Sequence, residues 1–167
     1  MQKTIQRLWR HLTTTRRDSR RLFPAATLQA IQAKIAEGEV THRAEVRVII
    51  ESSMDTQAIL NNMTSRHRAN ELFSRYRVWD TEENIGVLVY VNLADHKVEI
   101  VADRAVGRAI HKKEWQAICH TMTKEFINGS YRDSTLLALE QLNGLLTQHF
   151  PDQEGKYNEI SDKPIML

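Results

Sequence analysis

A single cysteine, Cys119, stands in 167 residues, so no internal disulfide framework is available. No apolar run approaches the roughly 20 residues that a membrane-spanning helix needs; the longest, Ile85 to Val91, has the length of a strand. The opening stretch, MQKTIQRLWRHLTTTRRDSRR, is positively charged but lacks the apolar core of a secretory signal. Together these absences lead to the expectation of a cytoplasmic protein. There is no Gly-x-Ser-x-Gly elbow, Walker loop, dinucleotide fingerprint or His-Glu-x-x-His pair, and the seven histidines are scattered. The commonest nucleophile, nucleotide and zinc chemistries therefore have no signature here. Neither an internal repeat nor a low-complexity tract is visible.

What is present is an ordinary globular composition, 41% hydrophobic and 26% charged. The formal charge of +2 conceals an asymmetry: residues 1–21 carry a net +6, which leaves −4 on the remainder. A basic arm on a mildly acidic body argues against nucleic acid as the partner of the whole chain. The expected organisation is a basic amphipathic arm with a linker (1–21), one α/β domain (22–150) and an irregular tail (151–167).

Within the arm, Ile5, Leu8, Trp9 and Leu12 recur at helical spacing, and TTTRRDSRR reads as a linker. Phe23-Pro24 opens the body, and Leu28, Ile31 and Ile35 give a helix that Gly38 can stop. Residues 44–50 alternate charged and apolar side chains and read as a strand toward an edge. Residues 55–77 read as one helix, with Ala69, Leu72, Phe73 and Tyr76 on its apolar face. Gly86 to Asn92 is apolar on both faces, and Lys97 to Ala102 follows after a four-residue link, so the two form an antiparallel hairpin. Two helices close the body, one lined by Trp115, Ile118, Cys119, Met122 and Phe126, the other by Leu136, Leu139, Leu142, Leu145 and Leu146. Cys119 in such a stripe is a core thiol. Ile165 to Leu167 can tie down the tail. The order favours a right-handed parallel crossover plus the hairpin, hence a small mixed sheet with helices on both faces.

The link at 93–96 pairs Asn92 with Lys97, Leu88 with Val101 and Gly86 with Asp103. Asn84 then reaches the same sheet end as Asp103, and Thr41, His42 and Arg43 join them if the crossover is parallel. Asp80, Glu82, Glu83, Asn84 and Asp103 offer hard oxygen donors, a set suited to Ca²⁺ or Mg²⁺; exposed strand ends are also often acidic without binding anything. Arg7, Trp9, Arg10, Arg16, Arg17, Arg20 and Arg21 are the candidates for an anionic membrane surface or a partner, with a solvated basic terminus as the alternative.

The stretch NIGVLVYVNLADHKVEIVADR resembles the TPM domain, a family of thylakoid-lumen proteins of photosystem repair, a levamisole-receptor modulator and many bacterial proteins. The resemblance continues through Trp115, Phe126, Gly129 and Tyr131 and spans about residues 23–150. It implies an α/β/α sandwich. It also implies calcium binding and acid phosphatase activity, as assigned to some plant members, or an accessory role beside membrane proteins, including LemA-type ones, as in bacteria. Asp95 matches the family's hairpin turn. The family's Asp-Asn-Gly appears as Glu83-Asn84-Ile85-Gly86, its Gly-Tyr-Gly as Ala102-Asp103-Arg104, and its double glycine before the last helix as Ser134-Thr135.

Two expectations follow. One is a non-catalytic accessory domain peripheral to the inner membrane face. The other is a divalent-metal-dependent hydrolase of phosphate esters, with Asp103 and Arg104 as its candidate catalytic residues.

Overall fold

The computed structural model describes residues 2–152 and 157–167; the part of the expected irregular tail at 153–156 lies outside the described residues. The sheet grows from the strand–helix–strand unit. Strand β1 (Glu45–Glu51) runs parallel to β2 (Gly86–Asn92), and β2 turns back into antiparallel β3 (Lys97–Ala102). The register is the expected one: Asn92 faces Lys97 and Leu88 faces Val101. A two-residue strand β4 (Ile165–Met166) pairs parallel with Ile49 and Ile50, completing the order β3-β2-β1-β4. This corrects the edge position expected for β1. The end of the chain covers its free side, as Ile165 to Leu167 suggested, and both Glu45 and Glu51 are buried.

Helices lie on both faces. On one, α3 (Ala25–Glu39), α7 (Lys112–Phe126) and α8 (Tyr131–His149) pack Ile31, Ile35, Met122, Leu139 and Leu142 against Val46, Val48, Val87 and Val89. On the other, α5 (Ser65–Arg75) sets Ala69 and Leu72 against Ile49, Leu88, Tyr90 and Val101. The alternation along each strand sorts side chains between these two cores. The result is a mixed α/β sheet sandwiched by helices.

Four local readings need correction. The expected linker contains helix α2 (Arg16–Leu22), started by a capping box in which Asp18 Oδ2 accepts from the Thr15 N–H at 2.9 Å. Residues 55–77 break into α4 (Thr56–Leu60) and α5, because Asn62 takes φ 56° and Thr64 caps the second helix by accepting from the His67 N–H at 3.1 Å. Gly38 lies inside α3 and does not end it; a β-carbon there would overlap the Asn143 side chain, so its smallness lets α3 and α8 close. Finally, a short helix α6 (Arg104–Ala109) follows β3 directly, with Asp103 as its N-cap.

Helix α1 (Gln2–Thr13) is not a detached arm. It packs on α4 and beside the β2–β3 turn. The α2–α3 junction is held by Phe23, whose ring meets Tyr131 edge-on at 5.7 Å, while Tyr131 stacks on Phe126 at 4.6 Å.

Candidate functional site

At the N-terminal end of β2 the expected convergence occurs. The Asp103 N–H donates to Gly86 O at 2.9 Å, and the Ala105 N–H donates to Asn84 O at 3.3 Å. Asn84 adopts φ 56° to make the turn. The structure thus brings Asn84 and Asp103 together across about twenty residues of sequence.

Two of the carboxylates at this end have other work. Asp103 is 7% exposed, and its Oδ1 accepts from the Arg104 N–H at 2.7 Å while Oδ2 has no partner among the described residues. Glu83 forms an ion pair with Arg43. Glu82 meets the tail through its backbone, donating its N–H to Glu159 Oε2 at 2.9 Å. Asp80 and Arg104 are exposed. Among the described residues no three His, Cys, Asp or Glu side chains gather as a metal would require. Asp80, Glu82, Glu83, Asn84 and Asp103 thus share one sheet end without three of their carboxylates gathering among the described residues.

A residue that patterning overlooked lies close by. Glu39 accepts the Val46 N–H at 2.9 Å. Burial pushes its carboxyl up to about 8, against that hydrogen bond and with help from the charges of Glu45 and Asp162.

The opposite sheet end carries the denser polar assembly. Glu51, the last residue of β1, accepts Arg68 Nη2 at 2.6 Å and the Tyr90 hydroxyl at 2.5 Å. Asn92 Nδ2 donates to the Tyr90 oxygen at 2.8 Å, and Asn92 Oδ1 accepts the Asp95 N–H at 2.9 Å. Burial raises the Tyr90 hydroxyl far above its ordinary range, reinforced by the Glu51 charge. A continuous chain of hydrogen bonds thus leads from Arg68 to the hairpin turn.

In that turn Asp95 meets four partners. Arg7 Nη2 lies 2.7 Å from Oδ2, Ser65 Oγ 3.2 Å from Oδ2, His11 Nε2 3.1 Å from Oδ1 and Arg10 Nη2 3.7 Å from Oδ1. His11 Nδ1 accepts the Met54 N–H at 2.9 Å, so Nε2 carries the ring proton that faces the carboxylate, off the hydrogen-bond line. Burial alone would raise Asp95, but His11 and Arg7 outweigh it and hold the carboxyl well below the usual carboxylate range.

The arm candidates divide accordingly. Arg7 faces inward and is spent on Asp95. Trp9 (68% exposed), Ile5 (65%) and Leu12 (58%) point outward, and Arg10, Arg16, Arg17, Arg20 and Arg21 are exposed. Cys119 packs against the core, and burial pushes its thiol up to about 11, a poor nucleophile.

The model of the TPM domain matches residues 17–145. The chain belongs to the TPM domain family. The match begins inside α2 and ends inside α8, so this TPM domain takes in the helix that the sequence suggested was linker. Among solved structures, the BA42 protein of the psychrophilic bacterium Bizionia argentinensis aligns with a TM-score of 0.75 at 20% identity, over 86% of this chain and 94% of that one. That likeness is one of fold. No curated protein matches the sequence.

In this TPM domain Asp95 serves as the anchor for α1. The other residues of this sheet end, Glu51, Arg68, Tyr90 and Asn92, went unnoticed in the sequence. Glu51 and Asn92 were legible only as polar residues closing strands, and Arg68 on α5 and Tyr90 within β2 carried no signal.

Proposed function

We propose that this TPM domain is a non-catalytic accessory module that docks on an anionic membrane surface through the outer face of α1. The observation that carries the reading is the exposure of Ile5, Trp9 and Leu12 in one stripe of a helix whose other face is fastened to Asp95. A fastened helix with an uncovered apolar stripe presents that stripe at little further cost in chain entropy. Arg10 stands beside it on the same helix, and a basic side chain near an anionic surface contributes about 1 kcal/mol at moderate salt. No helix among the described residues is long and apolar enough to cross a membrane, so attachment would be peripheral, at the cytoplasmic face.

Co-sedimentation with anionic and neutral vesicles tests this. Binding to the anionic vesicles that salt weakens and that Trp9→Ser with Leu12→Ser abolishes is the expected result. Binding unchanged by that pair of substitutions would remove α1 from the interface. A membrane protein, of which a LemA-type partner is the family expectation, is the reading to take up if vesicles of every composition fail to bind.

The hydrolase alternative has one observation in its favour, the buried Oδ2 of Asp103, which has no partner among the described residues. A calcium or magnesium melt decides it. A bound ion at a hundred times its dissociation constant adds about 2.7 kcal/mol, and a shift that Asp103→Asn removes would establish the cation.

A further inference from the structure

Beyond the end of β1, loop residues 52–53 together with α2 and α5 enclose a cavity of about 290 Å³. Its wall holds three arginines, Arg16, Arg68 and Arg75, with Ser53, Tyr76 and Glu51. The hydrogen-bonding capacity there is spent unevenly. Two of its acceptors are occupied: Glu51 takes Arg68 and Tyr90, and a main-chain oxygen of Leu167 takes the Ser52 N–H at 3.2 Å. Its donors are not. Arg68 is held by Glu51 and Glu71, but neither Arg16 nor Arg75 has a carboxylate partner among the described residues.

The backbone of Arg16 is also held in place. Ser19 Oγ donates to the Arg16 carbonyl at 3.0 Å, and Ser52 Oγ donates to Ser19 Oγ at 3.0 Å inside the fold. The first turn of α2 is thereby pinned to the loop that forms the cavity's rim. Two arginines on separate helices, without a carboxylate partner among the described residues, line one small volume together with Ser53. A planar carboxylate offers acceptors in one plane; a tetrahedral oxyanion offers them toward several walls at once.

We propose that this cavity is a binding site for a phosphoryl group, gripped by Arg16 and Arg75 and backed by Ser53. The site lies at the sheet end away from Asp103, and its task is binding, with no bond made or broken. It does not depend on α1 reaching a membrane, because its donors come from α2, α5 and the loop. The phosphoryl group can belong to a free phosphate monoester or to a lipid headgroup, and the same donors serve both.

The test uses the full chain, ¹⁵N-labelled, titrated with inorganic phosphate against chloride at matched ionic strength. The expected result is saturable movement of the Ser53 and Arg75 amide signals with phosphate alone. Arg75→Gln should weaken that binding about tenfold or more, the loss expected for a charge-assisted hydrogen bond. Arg75 is exposed and lacks an ion-pair partner among the described residues, so the variant should melt with the parent chain in chloride, which separates a lost ligand from a lost fold. Shifts that do not saturate, or equal affinity in the Arg16→Gln, Arg75→Gln double variant, overturn the proposal. Vesicles then distinguish the sources. Phosphatidic acid carries a phosphate monoester and phosphatidylglycerol does not. Arg75-dependent preference for phosphatidic acid, competed by free phosphate, assigns the lipid; phosphate binding with no such preference assigns the free monoester.

Discussion

Arg7 and Asp95, 88 residues apart, meet side-on, with Nε and Nη2 of the arginine 2.9 and 2.7 Å from the two carboxylate oxygens. A fork-to-fork pair of this kind fixes orientation as well as proximity. It decides which face of α1 turns inward and therefore which face carries Ile5, Trp9 and Leu12 outward. Asp95→Asn should cost about 3 kcal/mol locally, the order seen when one member of a largely buried ion pair is removed. Hydrogen exchange reads it: amides of α1 should lose protection while those of β1 and β2 keep theirs. Unchanged protection in α1 would mean that apolar contacts with α4 hold the helix alone. The pH dependence has a definite sign. A carboxyl held below its unfolded value contributes fully above the ordinary carboxylate range, about pH 4, and that contribution disappears as pH falls through the lower folded value. Acid should free α1 before it unfolds the sheet.

Glu39 acts in the opposite direction. Unfolded, it ionises in the ordinary glutamate range; folded, burial pushes it up to about 8. Between those values the folded chain holds a proton that the unfolded chain has released, so stability declines as pH rises across that window. Glu39→Gln keeps an acceptor for the Val46 N–H and removes the titration. Urea midpoints at pH 5 and 8 should differ less in the variant than in the parent, with the variant gaining at the higher pH. A parent slope that persists in the variant would assign it to another group.

The hairpin was legible because a four-residue link admits one register, and register alone carries Asn84 to Asp103. Helices α3, α5, α7 and α8 were legible from apolar spacing, whereas the break at Asn62 and the short α6 were not. Contacts that span the chain were not. The two-residue β4 has no periodicity to read, yet it converts β1 from an edge strand into an interior one. Asp95 was visible as a turn residue, but nothing local says that Arg7, His11 and Ser65 will surround it. Helix α2 is different, since Thr15 and Asp18 at capping-box spacing stood in plain view among arginines. At the acidic cluster, register brings the strand ends together, but Arg43 takes the Glu83 carboxylate and Asp103 Oδ1 caps α6, pairings with no local signal in the sequence.

Two glycines separate close packing from chain freedom. A β-carbon on Gly86 would overlap the Val78 carbonyl oxygen, which is backbone and cannot swing aside, whereas one on Gly107 would meet nothing nearer than Ala102 O at 3.9 Å. Gly86→Ala should therefore cost about 3 kcal/mol through strain at the start of β2. Gly107→Ala, inside α6, should be neutral or stabilise by about 0.5–1 kcal/mol by restricting the unfolded chain. Thermal melts of both compare the two effects directly, and equal losses would show that α6 does not hold a helical backbone at Gly107.

Tyr90 tests whether the buried polar chain beneath the phosphoryl pocket is a unit. Its hydroxyl donates to Glu51 and accepts from Asn92, and the ring is fully buried between α5 and the sheet. Tyr90→Phe leaves the packing nearly intact but strands the Asn92 amide and withdraws a donor from a charged carboxylate, a loss of about 2 kcal/mol. Glu51→Gln alone should cost at least as much, because Arg68 then loses the charge it was paired with. If the groups form one network, the double variant should cost clearly less than the two single losses added together, and a double-mutant cycle from urea titrations measures the difference. Additive losses would mean independent bonds. The same network also fixes how tyrosine titrates in alkali. Burial, reinforced by the Glu51 charge, keeps the Tyr90 hydroxyl protonated, so Tyr90 should ionise only as the fold gives way, and an absorbance titration of the parent against Tyr90→Phe should differ by one tyrosine in that last phase alone.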